Sequence, residues 1–251
     1  MRGTNSDATS GFYDELAGDY YLFTNDWWTD VESEAAFYAP ILRDQDVSYV
    51  IDASCGPGTQ AIGLRSLGFS VSAFDISPVM LAEARQNAER RGVEIDLRIG
   101  DILELSKLGE SADAVISAGN AFAHFSSLDE VVMGTRALLS VLRPGGRAYI
   151  GIRDYDELLR RRPSFDFRRV RINAGITTLM YDYWEYGDNL IKLNLFILHL
   201  KSGGWNLDRY LQSYLLPITR KMLSHAAALA GGKVLDFLDH RWGIVAVLAV
   251  L

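Results

Sequence analysis

Between Tyr49 and Thr59, three apolar residues run into the acid Asp52 and then into Ala53-Ser54-Cys55-Gly56-Pro57-Gly58. A buried strand that ends this way and opens into the helical pattern from Gln60 to Ser66 aims backbone N–H groups and a helix N-terminus at a ligand. A side chain at Gly56 or Gly58 would hold that ligand off the backbone. The turn alone admits several ligands, since Gly56-x-Gly58-x-x-Ala61 also loosely fits a dinucleotide fingerprint. The residues beyond the turn discriminate between them. Asp75 closes a second strand, where a carboxylate can accept both hydroxyls of a ribose. Gly100-Asp101-Ile102 comes after a third strand and offers an acid to the exocyclic amine of an adenine. Gly119-Asn120-Ala121-Phe122-Ala123-His124 comes after a fourth. A hydride cofactor accounts for the turn and for Asp75. It does not account for Asp101, for Asn120, or for the Pro144-Gly145-Gly146 turn before a fifth strand.

These residues need a scaffold that brings successive strand ends to one edge. Strand patterns at 49–53, 69–74, 95–99, 112–117 and 148–152 alternate with helical patterns at 59–67, 78–91 and 128–142. Pro78 near the first turn and Gly92 after the last turn bracket the second of those helices. The alternation predicts an α/β fold with a doubly wound, seven-stranded, Rossmann-like sheet. Beyond Arg153 the grammar changes to consecutive strands at 168–172, 177–186, 190–200 and 206–216, separated by Gly187-Asp188-Asn189 and Gly203-Gly204. That is an antiparallel insertion after strand five, bounded at 160–216. A helix at 219–230 and strands at 233–238 and 244–251 close a single domain over 1–251. Before the sheet, a polar tail leads into an aromatic helical segment at 12–42, expected to act as a lid.

The chain of 251 residues carries a net charge of −7, which argues against a nucleic-acid backbone as partner. Its longest apolar run, Ile244 to Leu251, is far short of the ~20 residues that a membrane helix needs. Met1 to Gly11 lacks the apolar core of a secretory leader, and a single cysteine suits a reducing compartment. The expectation is a cytoplasmic protein acting on small molecules. Four histidines and one cysteine show no metal-ligand spacing, so no metal is expected.

The set of strand-end residues resembles the class I S-adenosylmethionine-dependent methyltransferases over roughly residues 12 to 251. Asp75 alone could be a solvated strand end and Met80 a core residue, but four features at successive strand ends are not explained that way. The resemblance implies S-adenosylmethionine as cofactor and S-adenosylhomocysteine as product. It implies cofactor contacts from Tyr20, Trp28, Asp52, Ser54, Gly56, Gly58, Thr59, Asp75, Ile76, Met80, Gly100, Asp101, Ile102 and Gly119. Within that class the sequence is similar to the glycine and glycine/sarcosine N-methyltransferases. The carrying residues are Gly119 to His124 and Ile152-Arg153-Asp154-Tyr155-Asp156, with support from Tyr13-Asp14, Tyr20, Asp26-Trp27 and Ser213-Tyr214. On that likeness Arg153 grips an acceptor carboxylate, Asn120 sits beside the reacting amine, and Tyr214 belongs to the pocket. One departure stands out. That group carries an arginine in the helix before strand one to hold the cofactor carboxylate, whereas Asp30-Val31-Glu32-Ser33-Glu34 is acidic here. Either another donor binds that carboxylate or the segment runs differently.

The implied activity is methyl transfer to the amine of a small, carboxylate-bearing molecule. The alternatives are transfer to oxygen of a specialised metabolite and a non-catalytic cofactor-binding domain. Arg160-Arg161-Arg162 and Arg168-Arg169-Arg171 read as a solvated basic patch, with attraction of an anionic substrate or partner as the alternative, and His124 as a capping or packing residue.

Overall fold

A computed structural model describes residues 5–173, 175–201 and 203–251. Among these, seven α-helices and eleven strands begin with α1 (Asn5–Leu16), α2 (Trp27–Arg43), β1 (Tyr49–Asp52), α3 (Thr59–Ser66), β2 (Ser70–Asp75), α4 (Pro78–Arg91), β3 (Asp96–Ile99), β4 (Ala112–Ser117), α5 (Leu128–Ser140), β5 (Leu142–Ile152) and α6 (Tyr155–Arg161). The chain continues through β6 (Phe165–Asn173), β7 (Ile176–Tyr186), β8 (Ile191–Lys201), β9 (Gly204–Leu215), α7 (Arg220–Leu229), β10 (Gly232–His240) and β11 (Gly243–Val250).

The main sheet has the order β10-β11-β5-β4-β1-β2-β3. Strands β1 to β5 pair in parallel, while β11 runs antiparallel against β5 and β10 antiparallel against β11. The central strands β1 and β4 are covered on both faces and are largely apolar, whereas the edge strand β3 (Asp-Leu-Arg-Ile) is largely exposed. Along β1, Val50 enters the cluster shared with Tyr38, Leu42 and Leu64, and Ile51 enters the one shared with Leu138 and Leu223. Strand order reverses between β1 and β4, and their carboxyl ends open a crevice there.

Local chemistry sets the element ends. Asp26 caps α2 by accepting from the Thr29 N–H, and Ser77 caps α4 by accepting from the Met80 N–H. Gly63 lets α3 lie against α2, since a Cβ there would stand 2.7 Å from the Val31 carbonyl oxygen and 2.9 Å from the Ala35 Cβ. That close approach seats α2 beside α3, with Tyr38 and Leu42 packed against the central strands.

Strands β6 to β9 form a separate antiparallel sheet in chain order. Its inner face presents Met180, Trp184, Leu193, Leu195, Ile197, Leu211 and Leu215 to Phe12 and Leu16 of α1. The crevice therefore has a roof made of α1 and this second sheet.

Two elements differ from the expectation drawn from sequence. The first helix begins at Asn5, inside the stretch that reads as a polar tail. Its apolar residues Phe12 and Leu16 lie near its end, and its first turns are held by hydrogen bonds from Ser6 and Ser10 rather than by burial. Helix α6 occupies a stretch without a helical pattern of its own in the sequence. It begins where the Asp154 carboxylate accepts from the Glu157 N–H.

Candidate active site

The glycine turn after β1 is tied down strand by strand. The Ala53 N–H donates to the Ile116 carbonyl at 2.7 Å and the Cys55 N–H to the Phe74 carbonyl at 2.9 Å. Gly58 takes a φ of 93°, and a Cβ there would strike Ile62 Cδ1 at 2.8 Å. Its requirement is thus packing behind the turn, not ligand approach. Gly56 is the ligand-facing one, with no atom within 4 Å of the position a Cβ would fill. Its N–H donates to Asp75 Oδ2 at 2.7 Å, and the Ser77 N–H donates to Oδ1 at 2.9 Å. Burial pushes the Asp75 carboxyl up, and these two amides oppose that.

A cavity of about 690 Å³ lies on this edge. Gly56, Asp75, Ile76, Met80, Gly100, Asp101 and Ile102 line one end of it. Asp101 accepts from the Leu103 N–H at 2.9 Å and from the Ser6 hydroxyl at 2.6 Å. Two acids on adjacent strand ends, the apolar Met80 and a bare Gly56 could hold a nucleoside, with one carboxylate available to a ribose, another to a base edge and an apolar contact for its ring. Helix α1 lies across this end. Besides the Ser6 bond, the Ser10 hydroxyl donates to the Ile76 carbonyl at 3.2 Å and the Ser77 hydroxyl to Asp14 Oδ1 at 2.5 Å.

Tyr20, Ser54, Thr59 and Gly119 line the middle, together with Trp27, whose indole N–H donates to Thr59 Oγ1 at 3.3 Å. Burial pushes the Tyr20 phenol up to about 12, so it stays a hydrogen-bond donor.

The far end is built by the loop after β4 and by the second sheet. Asn120 sits in left-handed backbone at φ 69°. Its Nδ2 donates to the Tyr155 hydroxyl at 3.0 Å and its Oδ1 accepts from the Arg153 N–H at 3.1 Å, which clasps this loop to the end of β5. The Arg153 guanidinium stands over the Trp184 ring at 5.0 Å, and among the described residues no carboxylate forms an ion pair with it. Arg168, by contrast, is paired with Asp182 and Asp166. Asp182 is 1% exposed, lines the cavity and leaves Oδ1 without a partner. His124 joins the roof to the floor: Nε2 meets the Tyr13 hydroxyl at 2.9 Å and Nδ1 meets the Ser213 hydroxyl at 3.1 Å. Burial and the nearby Arg153 charge push its pKa down to about 4, which keeps the ring neutral.

Four expected contacts fall elsewhere. Tyr214 is 55% exposed on the outer face of the second sheet, because its neighbours Ser213 and Leu215 take the inward positions and strand side chains alternate. Trp28 lies under Arg91 at 5.6 Å while Trp27 takes the cavity. Asp52 and Gly58 lie behind the turn, and burial pushes Asp52 up to about 7. Arg168 leaves the expected surface patch for the cavity wall, whereas Arg160 and Arg161 stay solvated. The residues that sequence reasoning misses, Trp27, Asp182 and Arg241, have only adjacency or strand alternation to signal them. For Arg241, a contact across more than two hundred residues of chain, there is no signal. Among the described residues no group of three or more His, Cys, Asp or Glu side chains could hold a metal ion, and no helix is long and apolar enough to cross a membrane.

Residues 50–146 match a family model described as a methyltransferase domain. The chain is 31% identical over 134 residues to a glycine/sarcosine N-methyltransferase from Aphanothece halophytica, a match covering 53% of this chain and 51% of that protein. It is 31% identical over 157 residues to the glycine N-methyltransferase of Rattus norvegicus, covering 58% and 54%. The chain spans about half the length of the curated relatives it matches. An S-adenosylmethionine-dependent methyltransferase from Clostridium acetobutylicum superposes with a TM-score of 0.75 at 15% identity, covering 95% of this chain and 98% of that one. An S-adenosylmethionine-bound amino pentose methyltransferase from Micromonospora echinaspora superposes with a TM-score of 0.73 at 20% identity, covering 93% and 95%. With the sheet order, the glycine turn and the acids at successive strand ends in place, the chain carries a methyltransferase domain over residues 50–146 on the fold of the S-adenosylmethionine-dependent methyltransferases, and over about half its length it is similar to glycine and glycine/sarcosine N-methyltransferases.

Proposed function

We propose that this protein transfers a methyl group from S-adenosylmethionine to the amine of a small molecule that carries a carboxylate. The observation that carries the proposal is Arg153, a guanidinium walled into the cavity, stacked on Trp184 and without an acidic partner among the described residues. Burial pushes its pKa down, so the site favours an incoming anion that restores the charge balance. A guanidinium makes two parallel charge-assisted bonds to a carboxylate and so sets orientation as well as position. The names of the similar curated proteins, glycine and glycine/sarcosine N-methyltransferases, support the same acceptor class.

The bound cofactor supplies an activated methyl group on a sulfonium. The protein's own part is positioning: an amine nitrogen must be held in line with the methyl at roughly 3–3.5 Å. The Arg153 backbone N–H donates to Asn120 Oδ1, which ties the segment that carries the carboxylate anchor to the residue placed beside the amine. Closure of the roof of α1 and the second sheet over a bound ligand would reduce water in the cavity and strengthen the oriented dipoles inside. His124 is neutral and fixed between Tyr13 and Ser213, where it holds roof to floor.

The test pairs acceptor-dependent turnover with cofactor affinity in Arg153→Ala and Arg153→Lys, across a panel of amino acids, uncharged amines and amino sugars. Both variants are expected to lose turnover on amino acids, by about 2–5 kcal/mol of transition-state stabilisation, and to keep cofactor binding. Unchanged turnover in both would remove the carboxylate clamp and favour an uncharged acceptor.

A further inference from the structure

S-adenosylmethionine ends in an amino acid, so the reaction proposed above brings two carboxylates into one cavity, one from the cofactor and one from the acceptor. Among the described residues three arginines line that cavity: Arg153, Arg168 and Arg241. Arg168 is spent on Asp182 and Asp166. Arg153 faces the second sheet, where the acceptor is placed. Arg241 stands elsewhere, on the tight turn between β10 and β11, and reaches α2 across 211 residues of sequence. Its Nε donates to Glu34 Oε1 at 3.1 Å, one terminal nitrogen to Asp30 Oδ1 at 2.7 Å and the other to the Asp30 carbonyl at 3.3 Å. A guanidinium has five N–H donors, so these three bonds leave two.

Glu34 is the hub of this group. It is 1% exposed, and besides Arg241 it accepts from Gln60 Nε2 at 3.0 Å and meets His240 Nε2 at 3.1 Å. These bonds hold its carboxyl below the usual range in spite of burial. Gln60 is the second residue of α3, directly after the glycine turn, so the cluster lies at the turn and not at the Asp75–Asp101 nucleoside cradle. A cation pinned between two acids at that place matches a zwitterion: carboxylate to the guanidinium, ammonium to the acids. We propose that Arg241 binds the carboxylate of the cofactor's amino-acid end, with Asp30 and Glu34 positioning the guanidinium and receiving the ammonium. The acidic stretch of α2 is then the mount for a donor delivered from the C-terminal hairpin. The assignment rests on S-adenosylmethionine being the cofactor.

Two ligands separate this role from simple support of the fold. S-adenosylhomocysteine has the amino-acid end, whereas 5′-methylthioadenosine has the same adenosine and thioether without it. By calorimetry, Arg241→Ala should weaken S-adenosylhomocysteine by about tenfold or more and leave 5′-methylthioadenosine unchanged. Adding Asp30→Arg to Arg241→Ala returns a guanidinium to the same place from α2 and should recover most of the loss. Equal weakening of both ligands, no weakening, or a selective loss that the double variant fails to recover would each overturn the assignment. Failure of the wild-type protein to bind either ligand would instead remove the cofactor reading beneath it.

Discussion

Asp75 shows how one carboxylate can serve both the fold and the ligand. Its two oxygens hold the Gly56 and Ser77 amides, and the residue lines the cavity. Asp75→Ala should remove two charge-assisted bonds to a ribose, each worth about 1.5–3 kcal/mol, and should lower S-adenosylhomocysteine affinity accordingly. Titration calorimetry showing unaltered affinity would place the ribose elsewhere. Asp52 is the contrasting acid. It is fully buried behind the turn, with Oδ2 unpartnered, and desolvation lifts its pKa to about 7 from an ordinary value near 4. Between those two values the folded state binds more protons than the unfolded chain, so this group's contribution to stability falls as pH rises from about 4 to 7. Asp52→Asn should therefore stabilise the protein at pH 8 and lose that advantage progressively toward pH 4, with a difference of order a few kcal/mol at the alkaline end. Denaturant titrations at the two pH values check it; a gain independent of pH would mean that Asp52 stays charged in the fold.

At the scale of elements, α1 is held by bonds that can open. Its contacts with the nucleoside end run through the Ser6, Ser10 and Ser77 hydroxyls, and its apolar end packs on the second sheet. A ligand placed under it adds contacts without requiring new structure, so hydrogen exchange from Asn5 to Trp28 should slow when S-adenosylhomocysteine binds. Equal exchange with and without ligand would make this segment permanent packing instead of a closing cover. The elements also explain which features are legible in the sequence. The central parallel strands are legible because burial leaves a largely apolar run and the acid at its end marks the carboxyl edge, as with Asp52 and Asp75; Asp101 follows a short, exposed edge strand and is located by its place in the strand–helix alternation. Errors arise where neighbouring residues point in different directions. Trp27 and Trp28 differ by one step around a helix, and Ser213 and Tyr214 by one step along a strand, so placing the right segment does not place the right side chain. The Arg241–Asp30 bond joins the two ends of the chain, and no local pattern encodes it.

For the whole molecule, the cavity is the seam between two layers that are otherwise separate. Its floor is the carboxyl edge of the main sheet and its roof is α1 with the antiparallel sheet, so a ligand that fills it joins bodies with different cores. A ligand that binds only the folded state adds RT ln(1 + [L]/Kd), about 2.7 kcal/mol at one hundred times Kd. For a chain of this size each kcal/mol raises Tm by roughly 2–4 °C, so saturating S-adenosylhomocysteine should raise it by about 5–11 °C. NAD at the same concentration should give no shift. Its adenosine half could meet Asp75 and Asp101, but the Arg241 guanidinium at the glycine turn is already shared between Asp30 and Glu34 and cannot balance both charges of a pyrophosphate. Thermal unfolding measured with each ligand, in wild type and in Asp75→Ala, decides the matter. A shift with NAD that Asp75→Ala abolishes, and none with S-adenosylhomocysteine, would turn this edge of the sheet into a dinucleotide site and end the methyl-transfer reading.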